Sequence, residues 1–283
     1  MILFVVIAFL MNKIQLNALH TLQDGAIYKT PLPYVSSDVT VNAGARALVV
    51  YDPSTRTIVY GKNYTFRFSP ASTAKIMTAT LALEYYKLNT VIAANGVSTV
   101  VGSKMGLVEG EQMSVQNLLY GLLLPSGNDA AFVLASNYPG GYNAFVKKMN
   151  EKAKELYLYN THFVDPAGYD DANYTTAQDL ARLAAYAMTN NMFRKIVSTR
   201  HTIVFNTQKT IPHDLTNLNE LLGMKGIEGV KTGFTNEAGE VLVTAYDYQG
   251  KMYIIVVLNS SDRFGDTEKV ISDVVDKIKL ISY

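Results

Sequence analysis

The sequence predicts a mixed α/β fold, α+β in character, with strands near both ends of the chain and helices between them. Three observations carry this. Residues 45–51 and 57–60 are short apolar runs joined by Asp52-Pro53-Ser54-Thr55, a turn sequence, and they read as a hairpin. Residues 240–248 and 252–258 repeat the pattern about Tyr248-Gln249-Gly250-Lys251. Between them, residues 71–86, rich in Ala, Leu, Met and Ile, and the apolar run 115–124 read as buried helices, and residues 141–156 and 176–189 as amphipathic ones. A sheet completed by both ends of the chain follows.

In chain order, residues 2–11 are ten consecutive apolar residues. That is too short for an ordinary transmembrane helix and has the length of a signal-peptide core, although no Lys or Arg precedes it. Residues 1–22 are therefore expected to be a signal peptide, with cleavage after Ala18, or an uncleaved N-terminal anchor, through which alone the chain would meet a membrane. The expected location is the periplasm or the outer face of the cytoplasmic membrane. Residues 23–41, polar and Pro-containing, read as a linker to a catalytic domain over residues 42–283.

The helix over residues 71–86 has Ser69 as a candidate N-cap and Pro70 as a candidate first residue. Ser72 falls in its first turn, where the helix's partial positive charge favours a developing anion. Lys75, three residues on, shares a face with Ser72. It has no acid at i±3 or i±4, and a lysine buried unpaired in an apolar helix loses its proton readily and can act as a base. Taken alone, a structural serine beside a snorkelling lysine is the better account of the pair, and only the other two motifs reverse this.

The helix over residues 115–124 stops at Pro125, and a new one starts near Asp129, so Ser126 and Asn128 sit in the connection. A plain turn accounts for these residues in isolation. Thr176 with Asp179 resembles a capping box with Asp in place of Glu. Residues 229–234 read as a strand carrying Lys231, Thr232 and Phe234, in which Gly233 marks close approach of another backbone or a ligand. Alone, an edge strand with a solvated lysine is the simpler account. Val270, Val274 and Ile278 recur every four residues, so a last helix packs one face on the core.

Composition removes several function classes. The chain has 283 residues, 48% hydrophobic and 17% charged, an ordinary globular balance. A net charge of +1 points to no nucleic-acid partner and no anionic membrane surface. There is no Cys, which excludes disulfides and thiol catalysis. His20, His162, His201 and His213 show no metal-ligand spacing, so no metal and no cofactor is expected. Asp170-Asp171 reads as a solvated loop pair rather than as glycosidase carboxylates.

Ser72-Thr73-Ala74-Lys75, Ser126-Gly127-Asn128 and Lys231-Thr232-Gly233 each occur once and in this order, the S-x-x-K, S-x-N and K-T-G set of serine acyl-transfer enzymes. With Ser69-Pro70-Ala71, Gly102-Ser103-Lys104-Met105-Gly106-Leu107, Leu122-Leu123-Leu124-Pro125, Asp165-Pro166-Ala167-Gly168 and Gly229-Val230 around them, the chain resembles the low-molecular-mass penicillin-binding proteins over residues 45–258. These are the serine-type D-alanyl-D-alanine carboxypeptidases. The resemblance implies the β-lactamase/transpeptidase-like fold, an antiparallel five-stranded sheet flanked by helices beside a helical lobe. It implies Ser72 as nucleophile, Lys75 as base, Ser126 as proton relay, and Asn128 as partner of the substrate amide. Lys231 and Thr232 would clamp the terminal carboxylate, and the backbone N–H groups of Ser72 and Phe234, beside Gly233, would form the oxyanion hole. The implied partners are peptidoglycan stem peptides, with β-lactams as covalent inhibitors.

The family often has Asn-Pro-His-Gly where this chain has Asp165-Pro166-Ala167-Gly168. Many members also continue into a β-rich domain and an amphipathic helix, whereas this sequence ends at Tyr283, like short members that are DD-endopeptidases. Endopeptidase activity is therefore the alternative. A β-lactamase is disfavoured, since no E-x-x-L-N run lies between Asn128 and Lys231. A non-catalytic penicillin-binding module is disfavoured because every reactive residue is present.

Overall fold

The computed structural model describes residues 31–281. The signal peptide or anchor expected over residues 1–22 lies outside the described residues, as do residues 23–30 of the linker. Among the described residues no helix is long and apolar enough to cross a membrane. Pro33–Lys279 form one compact unit.

The first strands, β1 (Ala47–Asp52) and β2 (Thr57–Lys62), form the expected hairpin. Asp52 makes its turn: the carboxylate accepts from the Ser54 amide at 2.7 Å and the Ser54 hydroxyl at 2.6 Å. Two small pairs not foreseen in the sequence follow. They are β3 (Val91–Ala94) with β4 (Glu111–Ser114), and β5 (His201–Phe205) with β6 (Pro212–Thr216). The strands β7 (Ile227–Thr235), β8 (Gly239–Tyr248) and β9 (Lys251–Ser260) then complete an antiparallel five-stranded sheet in the order β2-β1-β9-β8-β7. The end of the chain thus pairs with its beginning, Ile254 opposite Tyr51 and Val256 opposite Val49.

Both faces of this sheet are buried. Ala47, Val49, Ile254, Val256 and Val243 pack into one core, and Leu48, Val50, Ile255, Val257 and Leu242 into another. Burying each such side chain contributes about 1.5–3 kcal/mol. With apolar residues on both faces, alternation cannot fix the register, so turns such as the one at Asp52 must.

On the first face lies the helical lobe. It comprises α1 (Lys75–Tyr85), α2 (Val115–Leu123), α3 (Asn128–Ser136), α4 (Gly141–Glu155), α5 (Ala177–Ala187) and α6 (Asn191–Val197). Ser114, Thr176 and Asn190 cap α2, α5 and α6 through their side chains. The last helix, α7 (Arg263–Asp273), covers the second face. Val270 is buried on it and Val274 at its C-cap, but the helix ends at Asp273 and the partly buried Ile278 lies beyond it in extended backbone, so the four-residue spacing expected to mark one helical face runs past the helix.

Three local expectations change. Residues 71–74 form a 3₁₀ turn and α1 begins only at Lys75, because Ala71 has φ +45 and cannot start an α-helix. Pro70, not Ser69, is the N-cap of that turn, and Ser69 Oγ accepts from the Ala71 amide only at a long 3.5 Å. Asp179 does not close a capping box, since its carboxylate accepts from the Asn160 amide at 2.8 Å and the Thr161 hydroxyl at 3.0 Å.

Candidate active site

Ser72 sits in the 3₁₀ turn that feeds α1. The turn is held in an unfavourable backbone state: a non-glycine residue with φ +45, such as Ala71, costs of order 1–3 kcal/mol. Two glycines press on it. A Cβ on Gly168, itself at φ +72, would lie 1.8 Å from the Ala71 carbonyl oxygen. A Cβ on Gly233 of β7 would lie 3.0 Å from the Ala71 Cβ and 3.1 Å from the Ser72 amide nitrogen. The close approach expected at Gly233 is thus the approach of the Ala71–Ser72 backbone.

Lys75 is fully buried. Its Nζ lies 2.9 Å from Ser72 Oγ, 2.8 Å from Asn128 Oδ1 and 2.8 Å from the Ala167 carbonyl. Asn128 Nδ2 donates to the Val101 carbonyl at 2.8 Å, which fixes the orientation of that amide. Burial pushes the Lys75 ammonium down to about 7, while the more distant Asp165 and Asp129 pull in the opposite direction. A neutral amine has two N–H donors and one lone pair. Asn128 Oδ1 and the Ala167 carbonyl can only accept, so in the neutral form they take both donors and leave the lone pair for the Ser72 hydroxyl.

Two carboxylates build the surrounding loops: Asp129, read in the sequence only as a helix start, and Asp165, read only as a departure from the family motif. Asp165 Oδ1 accepts from the Ala167 and Gly168 amides at 2.7 and 2.8 Å, and Oδ2 from the Asp170 amide at 2.8 Å and Asn173 Nδ2 at 2.6 Å. This shapes the loop that offers the Ala167 carbonyl to Lys75. The contact is made by backbone, so alanine serves where the family often has histidine. Asp129, 1% exposed, accepts from the Met105, Gly106 and Leu107 amides at 2.9–3.1 Å. That holds the preceding loop, whose Ser103 carbonyl accepts from the Asn128 amide at 2.7 Å.

Ser126, in the connection between α2 and α3, is buried at φ +65, and its Oγ has no hydrogen-bond partner among the described residues. The strand side is different. Lys231 and Thr232 are 2% and 4% exposed, which rules out the solvated edge lysine. Lys231 Nζ donates to the neighbouring Thr232 carbonyl at 3.0 Å. Burial first, then Lys75 and Arg263, hold the Lys231 ammonium well below the ordinary lysine range. Phe234 is 60% exposed and lines the cleft.

Arg263, missed in the sequence, joins this cluster. Its Nη1 donates to the Gly233 carbonyl at 3.1 Å, and its buried Nε lacks a partner among the described residues. A signal existed: Arg263 opens α7, where a cation opposes the helix dipole and calls for another reason to be there. Ser72, Asn128 and Phe234 share one cleft, with Gly102, Tyr169 and Glu237 around them. Among the described residues no cluster of His, Cys, Asp or Glu could hold a metal ion. The arrangement supplies a hydroxyl, a base, amide donors and cationic groups for an acyl transfer.

Comparison with known proteins agrees. The family model described as D-alanyl-D-alanine carboxypeptidase, Peptidase_S11, matches residues 34–262. The D-alanyl-D-alanine carboxypeptidase of Streptomyces sp. strain K15 is 36% identical over 270 residues, covering 88% of this chain and 92% of that protein. The D-alanyl-D-alanine carboxypeptidase DacF of Bacillus subtilis is 36% identical over 223 residues, and the match spans 76% of this chain but only 57% of the DacF length. A D-alanyl-D-alanine endopeptidase of Pseudomonas aeruginosa is 33% identical over 244 residues, 84% of this chain and 79% of that protein. The crystal structure of the Streptomyces K15 DD-transpeptidase superposes with a TM-score of 0.78 at 35% identity, covering 82% of this chain and 97% of that one. Its sheet and helical lobe are those of the penicillin-binding DD-peptidases. The chain belongs to the D-alanyl-D-alanine carboxypeptidase family and is a serine peptidase.

Proposed function

We propose that the chain removes the terminal D-alanine from peptidoglycan stem peptides through an acyl-enzyme on Ser72, and that β-lactams acylate the same serine. The single observation behind the assignment is the hydrogen-bond inventory of Lys75, which in its neutral form has only its lone pair left for Ser72. In this reading Ser72 Oγ attacks the carbonyl carbon of the penultimate D-alanine as its proton passes to Lys75 Nζ. The oxyanion faces the backbone N–H groups of Ser72 and Phe234. Ser126, whose hydroxyl is unengaged, relays a proton to the departing amine. Asn128 holds the substrate amide beside Lys75. Lys231, Thr232 and Arg263 receive the terminal carboxylate, whose charge restores the protonated form of Lys231 that burial disfavours. Water then attacks the ester and frees Ser72.

The apolar run at residues 2–11 supports a site of action outside the cytoplasm, in the periplasm or at the outer face of the cytoplasmic membrane, by a cleaved signal or a retained anchor. Relatives named endopeptidase at 33% and 31% identity favour cross-link cleavage as the second reading.

The test has two arms. Intact-mass measurement after benzylpenicillin treatment should give one adduct in the wild type and none in Ser72→Ala; an adduct that survives the substitution removes Ser72 from its role. A pentapeptide ending in D-Ala-D-Ala should release D-alanine. Cleavage of a cross-linked dimer without release of D-alanine from the pentapeptide selects the endopeptidase reading instead.

A further inference from the structure

His213 is a buried ionisable side chain that the reaction above leaves unused. It points inward from β6, with Nε2 2.8 Å from Glu111 Oε1 at the start of β4 and Nδ1 3.2 Å from the Met105 carbonyl oxygen. Glu111 is buried too, and its Oε2 accepts from the Val108 amide at 2.9 Å. A carbonyl and a carboxylate can only accept, so both ring nitrogens carry protons when Glu111 is ionised. If Glu111 instead holds the proton, it donates to Nε2. In both forms Nδ1 donates to Met105. Met105 is thereby held on three sides. Its carbonyl meets His213, its amide donates to Asp129 Oδ1 at 2.9 Å, and its side chain lies against Gly121, where a Cβ would come within 2.1 Å of the sulfur. The loop fixed in this way aims Asn128. The Val101 carbonyl accepts from Asn128 Nδ2 at 2.8 Å, the Ser103 carbonyl accepts from the Asn128 backbone amide, and a Cβ on Gly102 would lie 2.5 Å from Nδ2.

A buried ion pair is a poor device for stability alone, since well-packed apolar side chains of similar volume do as well or better. The hairpin supplies the contrast: His201 also pairs with an acid, Asp214, but both are exposed and both lie within the hairpin. We propose that His213 is a positioning residue for acylation: paired with Glu111, it fixes the Met105 carbonyl and so holds Asn128 in register with Lys75. Resting on the Ser72–Lys75 reading, this extends the site to a residue that does not line the cleft. Asn128 Oδ1 takes one of the two protons of neutral Lys75, so a shift of the loop disturbs the base as well as the grip on the substrate amide. Misplacing a reacting group by about 1 Å can cost roughly a hundredfold in rate.

The test uses two near-isosteric substitutions. Asparagine places its amide nitrogen where Nδ1 stands, so His213→Asn keeps the donor to Met105 and drops Glu111. Glutamine reaches to the position of Nε2, so His213→Gln keeps Glu111 and drops Met105. Rates come from intact-mass time courses with benzylpenicillin, and stabilities from denaturant unfolding. His213→Asn strands the carboxylate and should be the less stable of the two, yet should acylate within about threefold of the wild type. His213→Gln should be the more stable and should acylate roughly ten- to a hundredfold more slowly than the wild type. A merely structural role gives the same order in both measurements. His201→Asn should match the wild type in rate. Where the stranded charge prevents folding, the same pair is compared in Glu111→Gln protein, in which no charge is left over, and the order of rates should be the same. A His213→Gln protein at the wild-type rate, or rates that follow the stabilities, overturn the positioning role and leave the peptidase reading standing. A loss in His201→Asn as large as in His213→Gln assigns the effect to the hairpin at large and overturns it as well. If benzylpenicillin leaves no adduct on the wild type, the Ser72 reading fails and the role of His213 fails with it.

Discussion

The two walls of the cleft are built on opposite terms. On the helical wall every polar atom of the Ser72–Lys75–Asn128 group has a partner, from Lys75 Nζ with three neighbours to Asn128 Nδ2 on the Val101 carbonyl. On the strand wall, Arg263 Nε, reaching in from the start of α7, is buried without a partner, and Lys231 reaches only the carbonyl next to it. Ser126 Oγ, in the connection between α2 and α3, is unpartnered as well. An unmet buried polar group costs about 1–3 kcal/mol, so these groups store an expense that the Ser72–Lys75–Asn128 group does not. The difference teaches a division of labour. A base needs fixed geometry and a proton affinity set in advance, and full hydrogen bonding supplies both. A carboxylate receptor needs donors that are still unspent when the substrate arrives.

The sharpest way to break this comparison is to put arginine in place of each lysine. Arginine keeps the charge and cannot lose its proton, so Lys75→Arg should lower the penicillin acylation rate by about 10²–10⁴-fold. Lys231→Arg retains a cation for the carboxylate and should lose roughly tenfold. Equal losses in the two variants would show that the walls do not divide the roles.

Next come the glycines that press on the Ser72 turn from either wall. Gly168→Ala places a Cβ 1.8 Å from a backbone oxygen at a positive φ, and should cost at least about 2 kcal/mol of stability in denaturant unfolding. Gly233→Ala meets its neighbours at 3.0–3.2 Å and should fold nearly as well as the wild type. Its new methyl crowds the Ser72 amide, so acylation should fall by roughly ten- to a hundredfold. A stable Gly168→Ala protein, or a Gly233→Ala protein with full acylation, would separate these contacts from the functions given to them.

The smallest effect is in pH. With Lys75 at about 7, acylation should rise about tenfold per unit below that value and level off above it. The same group links to stability. Unfolded, Lys75 holds its proton up to the ordinary lysine value of 10.5; folded, it releases it near 7. Between those values the unfolded chain binds more protons, so stability rises with pH, by at most about 1.4 kcal/mol per unit from this group. Lys75→Met should flatten that part of the stability curve; an unchanged slope would mean that Lys75 is not neutral in the folded protein.

Much of this was legible in the sequence where the signal is local. The hairpins about Asp52 and Gly250, the stop at Pro125 and the buried α1 follow from turn residues and apolar runs. Ser72, Lys75 and Asn128 follow from short motifs. What stayed hidden depends on partners far along the chain. Asp165, Asp129 and Gly168 look like loop residues until their amide donors and the Ala71 carbonyl arrive beside them. The pairs β3–β4 and β5–β6 are short and carry polar residues such as Gln112 and Asp214, so their alternation is weak. The 3₁₀ start of α1 was invisible because alanine, the best helix former, stands at Ala71, where tertiary contacts hold φ positive.

The pairing of Ile254 with Tyr51 also sets an order of events. The contacts of the helical wall close loops of fewer than about a hundred residues, Lys75 with Asn128 and with Ala167. The sheet closes only when β9 meets β1, about two hundred residues later. Loop closure over longer spans carries more entropy, and long-range strand pairing is slow. As the chain emerges from its N-terminus, Lys75 can reach Asn128 and the Ala167 carbonyl while β7, whose Gly233 presses on the Ser72 turn and which carries Lys231 and Thr232, has yet to be made. The two walls therefore differ in age as well as in chemistry, and competence toward substrate waits on the last quarter of the polypeptide.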